Sequence, residues 1–508
     1  MSGHLKEAMP QLSVRLYKTI SRTTVDGQVA VSARYQAKQP YIDLTGLLGD
    51  GSAVRTTKSV REPAGAFHIT FADQPQKDGF SIESIYGLIE PMDMIEIRMW
   101  HGFGPAPVVL PIKMRGFVSR VQRPTAMSGD GKPMRSVTVV GHDYGKIWQT
   151  YQVLFLAAYA AGQSLLTSFA LSEMFGLGAV NAMPAAEFVR TMVQKVINPH
   201  IKAFMPEHTP MPKELQTGDS IAVKHGMVNQ SFQEMQGSIY DILKFHGDVG
   251  VWNELYTEDR EDGVHVVYRP MPALLLSPPK GAKSRKIMDD APDPTYVTVQ
   301  DSFVVNYSPE RADDNVANFY WVANSRFDMI DDVQRRMASI PSGDARVSLK
   351  DYPNASPKYY GVRPMYAETQ QGGDGITNMT GGLPEPEHNA RGDLQEAWID
   401  KRRRQMLEIN KDNVVYERGT VRIKGGPMRD TDAKGNMECM KAGDYARFQF
   451  GNVESEAYVT QIEDEFIPFQ SYHTTLTFER GTGFAVRVGM EGGINSPWLA
   501  EQSRRLGS

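Results

Sequence analysis

Apolar and polar positions alternate with period two through much of the first 145 residues. Met94 to Trp100 sets Ile95, Ile97 and Met99 against Glu96, Arg98 and Trp100, and Val137 and Val139 share one side of Ser136 to Val140. Both patterns predict half-buried strands. Turn signals at Gly49-Asp50-Gly51, Gly102 to Pro107 and Ser128 to Gly131 separate such runs. Short strands at this spacing favour a small barrel or sandwich over 1–145. Beyond His142 the period becomes helical. Phe188, Val189, Met192, Val193, Val196 and Ile197 keep one apolar face, and Asn198-Pro199 is expected to stop that helix. Ser231 to Glu234 has capping-box spacing and leads into Met235, Ile239 and Ile242, so 146–246 is expected to be a helical insertion.

Residues 247–392 read as a mixed α/β segment. Val264 to Tyr268 predicts a strand, Lys280 to Lys286 a basic loop, and Phe327, Ile330, Val333 and Met337 a short amphipathic helix. Gln370 to Gly392, rich in glycine and poor in bulky apolar side chains, is expected to be a mobile loop. Asp393 to Glu396 again has capping-box spacing and opens a helix through Ile409. Strands return at Val421 to Lys424, Ala446 to Phe450, Tyr458 to Ile462 and Tyr472 to Phe478, a second small barrel within 393–489, and 490–508 is a polar tail. The fold class is therefore α+β and mainly β: two small barrels with a helical insertion and a mixed segment between them.

Composition narrows the chemistry. The chain has 508 residues, enough for three or four domains, and a net charge of -5 from 55 basic and 60 acidic side chains argues against a surface built to cling to nucleic acid. The lone Cys439 excludes a disulfide framework and a cysteine-based zinc site. Met1 to Ile20 contain no continuous apolar core of a secretory signal, so the Asn-x-Ser/Thr triplets at Asn229, Asn354 and Asn378 are chance matches. Val153 to Val180 carries one charge, Glu173, yet polar side chains break it at short intervals, which predicts buried helices in place of a membrane span.

No His-Glu-x-x-His, P-loop or Gly-x-Ser-x-Gly pattern appears, and Gly102-Phe-Gly104 and Gly176-Leu-Gly178 read as turns. His225, His246 and His265 lack ligand spacing and read as surface or core imidazoles. Asp289-Asp290, Asp331-Asp332 and Glu463-Asp464-Glu465 read as solvated charge, since adjacent carboxylates on a strand point to opposite faces. Catalytic, cofactor and metal sites are thus expected to be absent. Charge is nevertheless segregated. Ala397 to Gly426 holds eight basic residues against four acidic ones, whereas Thr431 to Gln470 holds three against eight. Lys401, Arg402, Arg403 and Arg404 form a candidate interface patch.

The order of motifs after Asp393 is a basic helix, Glu417-Arg-Gly-Thr-Val-Arg-Ile-Lys-Gly425, a Gly-Asp turn in Lys441-Ala-Gly-Asp-Tyr445, Tyr458-Val-Thr, and Tyr472-His-Thr-Thr-Leu-Thr-Phe-Glu-Arg-Gly481. It resembles the C-terminal barrel of tail hub proteins of contractile-tailed bacteriophages. Ala64 to Phe71, Ile85 to Ile97 with its Pro-x-Asp turn, Met114 to Val118 and Val137 to His142 are similar to the first tube barrel of that family. The resemblance implies a structural virion protein of the tail baseplate, assembled in the host bacterial cytoplasm as a homotrimer. Its two tube-type barrels per subunit would adapt a six-fold tail tube to a three-fold central spike, and its lumen would pass viral DNA at ejection. Implied partners are the tube or tube initiator, the spike, the tape measure protein and baseplate wedge components. A channel that lets a polyanion slide is favoured by walls that do not hold phosphates, so Glu454, Glu456, Glu463 and Glu465 are candidate channel-lining acids. Two other readings have their own markers. A tail-associated cell-wall hydrolase would use Glu173 or Glu187, and a carbohydrate-binding component would expose Trp252 or Trp321.

Overall fold

The computed structural model describes residues 9–18, 41–73, 85–101, 107–127, 133–153, 183–205, 209–228, 237–277, 284–323, 352–374, 385–429, 438–451 and 453–491. The capping box at Ser231, the helix expected around Phe327 to Met337, nearly all of Val153 to Val180 and the end of the tail lie outside them.

The alternating runs of the first region form β1 (Gln11–Tyr17), β2 (Ala53–Ser59), β3 (Ala66–Ala72), β4 (Met94–Trp100), β5 (Ile112–Gln122) and β6 (Pro133–Asp143). The middle of the chain supplies β7 (Asn253–Arg260), β8 (Gly263–Pro270), β9 (Tyr296–Gln300), β10 (Val304–Glu310), β11 (Phe319–Ala323) and β12 (Pro364–Glu368). The last region adds β13 (Glu417–Lys424), β14 (Tyr445–Phe450), β15 (Val453–Ile467) and β16 (Ser471–Gly481). The helices are α1 (Gly145–Thr150), α2 (Ala185–Met192), α3 (Asn198–Phe204), α4 (Ile239–His246), α5 (Glu385–Asn410) and α6 (Gly483–Glu491). The mainly β architecture matches the expectation from patterning. What patterning does not announce is that strands of both β regions belong to one curled 14-stranded sheet, whose longer strands follow the order β10-β13-β16-β15-β2-β3-β6-β5-β4-β1 with β9-β14 branching from β15, and whose two short strands, Ile42–Asp43 and Thr125–Met127, pair with β1 and β6.

The two halves of that sheet repeat one another. The order β2-β3-β6-β5-β4-β1 recurs as β10-β13-β16-β15-β14-β9, and each half is followed by a helix, α1 or α6. The likeness extends to atoms. Asp93 accepts the Glu90 N–H at 2.8 Å just before β4, and Asp444 accepts the Lys441 N–H at 2.9 Å just before β14. The preceding residues, Met92 and Gly443, both have positive φ, 75° and 95°. The Val118 N–H donates to the Asp93 carbonyl, and the Val459 N–H to the Asp444 carbonyl. A β-bulge then follows at Val118/Arg120 and at Val459/Gln461. One difference is polarity: β1 runs antiparallel to β4, and β9 parallel to β14.

Four apolar clusters hold the molecule. One lies under the first half-sheet, with Val54, Phe67, Ile97 and Val139. A second lies under the last, with Val299, Phe448, Val459 and Phe478. α1 to α4 bury Trp148, Phe188, Ile201 and Leu243 against Tyr17, Met94 and Phe117. Finally α5 packs Ile399, Met406 and Ile409 on Trp252 and β11.

Three sequence expectations change here. Pro199 does not stop the helix that begins at Ala185. A π-helical turn over Val193–Ile197 intervenes, and Pro199 falls in the first turn of α3, where its missing N–H is not needed. The capping box that is described opens α4 at Ser238, with Ser238 and Asp241 bonding reciprocally. The expected loop from Gln370 begins as buried structure, since Gln371 donates to the His246 carbonyl and to Tyr268, and α5 starts at Glu385, eight residues before Asp393.

Candidate channel-facing sheet and interface surfaces

Register decides where the candidate acids point, because directly opposite residues share a sheet face. Across the joint between the halves one row reads Lys424, His473, Glu465, Arg55, His68, and the next Arg422, Thr475, Glu463, Thr57, Ala66. Glu454 and Glu456 lie opposite Gln449 and Arg447. The bulge at Val459/Gln461 inserts the one residue that brings even-numbered Glu454 and Glu456 onto the same face as odd-numbered Glu463 and Glu465. The four candidate acids therefore share one polar face, and Val459, Ile462, Leu476 and Phe478 fill the other.

That face is not an acidic wall. Glu465 accepts from Arg55 Nε at 2.8 Å and from Arg422 Nη2 at 2.8 Å, tying β2 of one half to β13 of the other. Glu456 accepts from Arg285 at 2.9 Å, and Glu454 from Arg447 at 2.8 Å. Glu463 stands between Thr57 and Thr475. His473 and His68 are held below the ordinary imidazole range, chiefly by burial, then by Arg422 for one and Arg55 for the other. The surplus of acid along the sequence is thus offset in space by arginines from neighbouring strands.

The basic run on α5 does not form a single patch either. Arg402 is buried, with its guanidinium 4.3 Å from the Trp398 ring and 5.3 Å from that of Trp252, bonded to Gln371 and 3.8 Å from Asp248. Arg403 and Arg404 both pair with Asp400, and Lys401 lies 5.8 Å from the Trp398 ring. Of the four, Arg404 is the exposed one.

A third arrangement escapes sequence reading. The β7–β8 hairpin wedges its charges into both halves. Toward the first, Lys58 contacts Asp259 at 2.5 Å while also pairing with Asp143 at 2.8 Å, the Arg115 N–H donates to Asp259 at 3.3 Å, and Arg98 bonds Glu261 at 2.9 Å. Toward the last, Lys441 pairs with Glu258 at 3.2 Å, and Arg269 holds Glu254 at 3.0 Å beneath Tyr458. Burial opposes the charge on Glu258, yet Lys441, Arg429 and Arg260 hold its carboxyl well below the usual range. In sequence Thr257-Glu-Asp-Arg-Glu-Asp262 looks like a solvated run. The signal missed is that basic partners far along the chain, Lys58, Arg115 and Lys441, match it.

The remaining candidates disperse. His225 bonds Asp374 at 2.6 Å, His265 bonds Asp262 at 2.9 Å, and His246 is buried among aromatic rings. Trp252 is 1% exposed with its Nε1 donating to the Arg402 carbonyl, so it offers no face to a sugar, and Trp321 is half-buried. Glu187 is exposed on α2, and Glu173 lies outside the described residues. Among the described residues no group of three or more His, Cys, Asp or Glu is placed to hold a metal, and no helix is long and apolar enough to cross a membrane.

No family model and no curated protein matches the chain. The solved structures it is similar to include a tail protein from Neisseria meningitidis, at 11% identity and TM-score 0.43, covering 94% of this chain and 98% of that one. A 43 kDa tail protein of prophage MuSo2 from Shewanella oneidensis matches at 8% identity and TM-score 0.40, over 92% and 96% of the two chains. A chain of the phage P2 baseplate in its activated conformation matches at 9% identity and TM-score 0.28, over 92% and 99%. These structural neighbours are phage tail and baseplate proteins, and each is spanned over nearly its whole length.

Proposed function

We propose that this chain is the structural hub of a contractile phage tail baseplate, a homotrimeric ring whose six half-sheets line a channel for the genome. The observation that carries the reading is the internal repeat. One chain presents two units with the same strand order, the same aspartate turn and the same bulge, already joined edge to edge through β2 and β15. Three such chains present six equivalent units, the number needed to seat a six-fold tube, while keeping three-fold symmetry for a spike.

The hairpin wedge supports a load-carrying role, because it fixes the angle between the two units through buried ion pairs that a hinge would expose. The tube or its initiator, the spike, the tape measure protein and the wedge components are the partners this reading assigns. Residues 146–246 are the part this reading sets against the tape measure protein, a sheath initiator or a wedge component. The site of action is the virion tail, after assembly in the host cytoplasm. The test is the solution mass of the purified chain: a trimer near three times 56.7 kDa is expected, and a stable monomer at micromolar concentration would remove the hub reading.

A further inference from the structure

Apart from the polarity of β1 and β9, the internal repeat departs from completeness at one place. Past its bulge, β15 leaves β14 and pairs with β2, from Gln461↔Ser59 to Phe466↔Val54. Past the equivalent bulge, β5 leaves β4, whose last partner is Phe117, and among the described residues no strand takes the matching position beside Arg120 to Thr125. The counterpart of β2 in the other half is β10, which pairs with β13 on one side and, among the described residues, with no strand on the other. β10 is exposed at five of its seven residues, among them Val305 at 52%. The chain thus carries one filled junction and the two separated halves of a second.

We propose that β10 of one copy of this chain joins β5 of the next copy, in the register that β2 and β15 use within a chain. This rests on the ring reading above and names its subunit junction. The register follows from the repeat. Gly141 and Phe478 are equivalent because they face Val118 and Val459; Phe67 and Gly419 pair with them, and Thr56 and Pro309 pair with those in turn. Thr57↔Glu463 therefore becomes Glu310↔Gln122, and Arg55↔Glu465 becomes Ser308↔Pro124. This register sets Glu310 diagonal to Arg120 and places no like charges opposite each other, which favours the pairing. Pro309 and Pro124 each remove one donor, so the junction is poorer in hydrogen bonds than its template. Such proline-bearing edges resist indiscriminate strand addition. The occupant is a second copy because the complementary edge is present in the same chain.

Cysteine cross-linking of the full chain tests this. Glu310→Cys combined with Gln122→Cys, both at exposed positions, is expected to give reducible dimers and trimers under mild oxidation, while each single variant stays uncross-linked. Ser308→Cys with Pro124→Cys is a second pair on the same register. Thr57→Cys with Glu463→Cys is the internal control, closing within one chain with no increase in mass. A trimer by mass that yields only monomer bands with both pairs would overturn this junction and leave the ring reading standing. A chain that is monomeric in both measurements would overturn both.

Discussion

His246 shows how one buried side chain sets a pH limit. It closes α4 with 0% exposure, against Phe188 and Phe245, and neither ring nitrogen has a hydrogen-bond partner among the described residues. Burial pushes its pKa down to about 4. The unfolded chain binds a proton between pH 6.5 and 4 that the fold refuses, so the full contribution is present above pH 6.5 and is lost as pH falls toward 4. Between pH 7 and 5 the loss is about 2 kcal/mol. His246→Leu is expected to remove that slope, checked by urea midpoints of both proteins at pH 7 and pH 5. An equal acid shift in both would show that the proton binds elsewhere. Sequence offers two readings of this residue, surface or core imidazole, and only the packing of α4 on α2 selects the second.

At the scale of elements, the hairpin joint makes the sharpest claim. Burial opposes the Lys58 ammonium, but Asp143 and Asp259 hold its pKa above the ordinary lysine range, and burial keeps the Asp259 carboxyl raised despite Lys58 and Arg115. Lys58→Met leaves two buried carboxylates side by side, at a cost of about 3–5 kcal/mol at pH 7. Protonating Asp259 relieves that repulsion, so the deficit is expected to shrink as pH falls, opposite to the trend from His246. Denaturant midpoints of Lys58→Met against wild type at pH 7 and 5 read this directly, and a deficit that grows with acid would contradict it. The strands that sequence shows clearly are those with one buried face, such as β16, where Tyr472, Thr474, Leu476 and Phe478 alternate with half-buried neighbours. β10 escapes notice because an exposed edge strand has no apolar stripe. The β2–β15 joint escapes because Arg55 and Glu465 are 410 residues apart and nothing local links them. Pro199 misleads because a π-turn absorbs what a proline ordinarily breaks.

For the whole molecule, the polar face decides whether the proposed channel slides or holds DNA. Charge along the chain suggests an acidic lining, whereas in space Glu465 clamps Arg55 and Arg422, so their guanidiniums are engaged across the joint between the halves. The clamp makes the face nearly neutral, which suits passage as well as repulsion would, because a guanidinium already bonded to a carboxylate is a poor phosphate ligand. Glu465→Gln releases both arginines at the β2–β15 joint. It is expected to tighten binding of double-stranded DNA to the assembled protein and to steepen the fall of log K with log salt by about 0.9 for each additional phosphate neutralised. Asp400→Asn is the comparison, since it releases Arg403 and Arg404 on α5, away from the sheet. Salt titrations of both variants separate the surfaces. Tighter binding with Glu465→Gln alone assigns the polyanion's path to the sheet, and tighter binding with Asp400→Asn alone would move it to α5 and take the channel role from β13, β15 and β2.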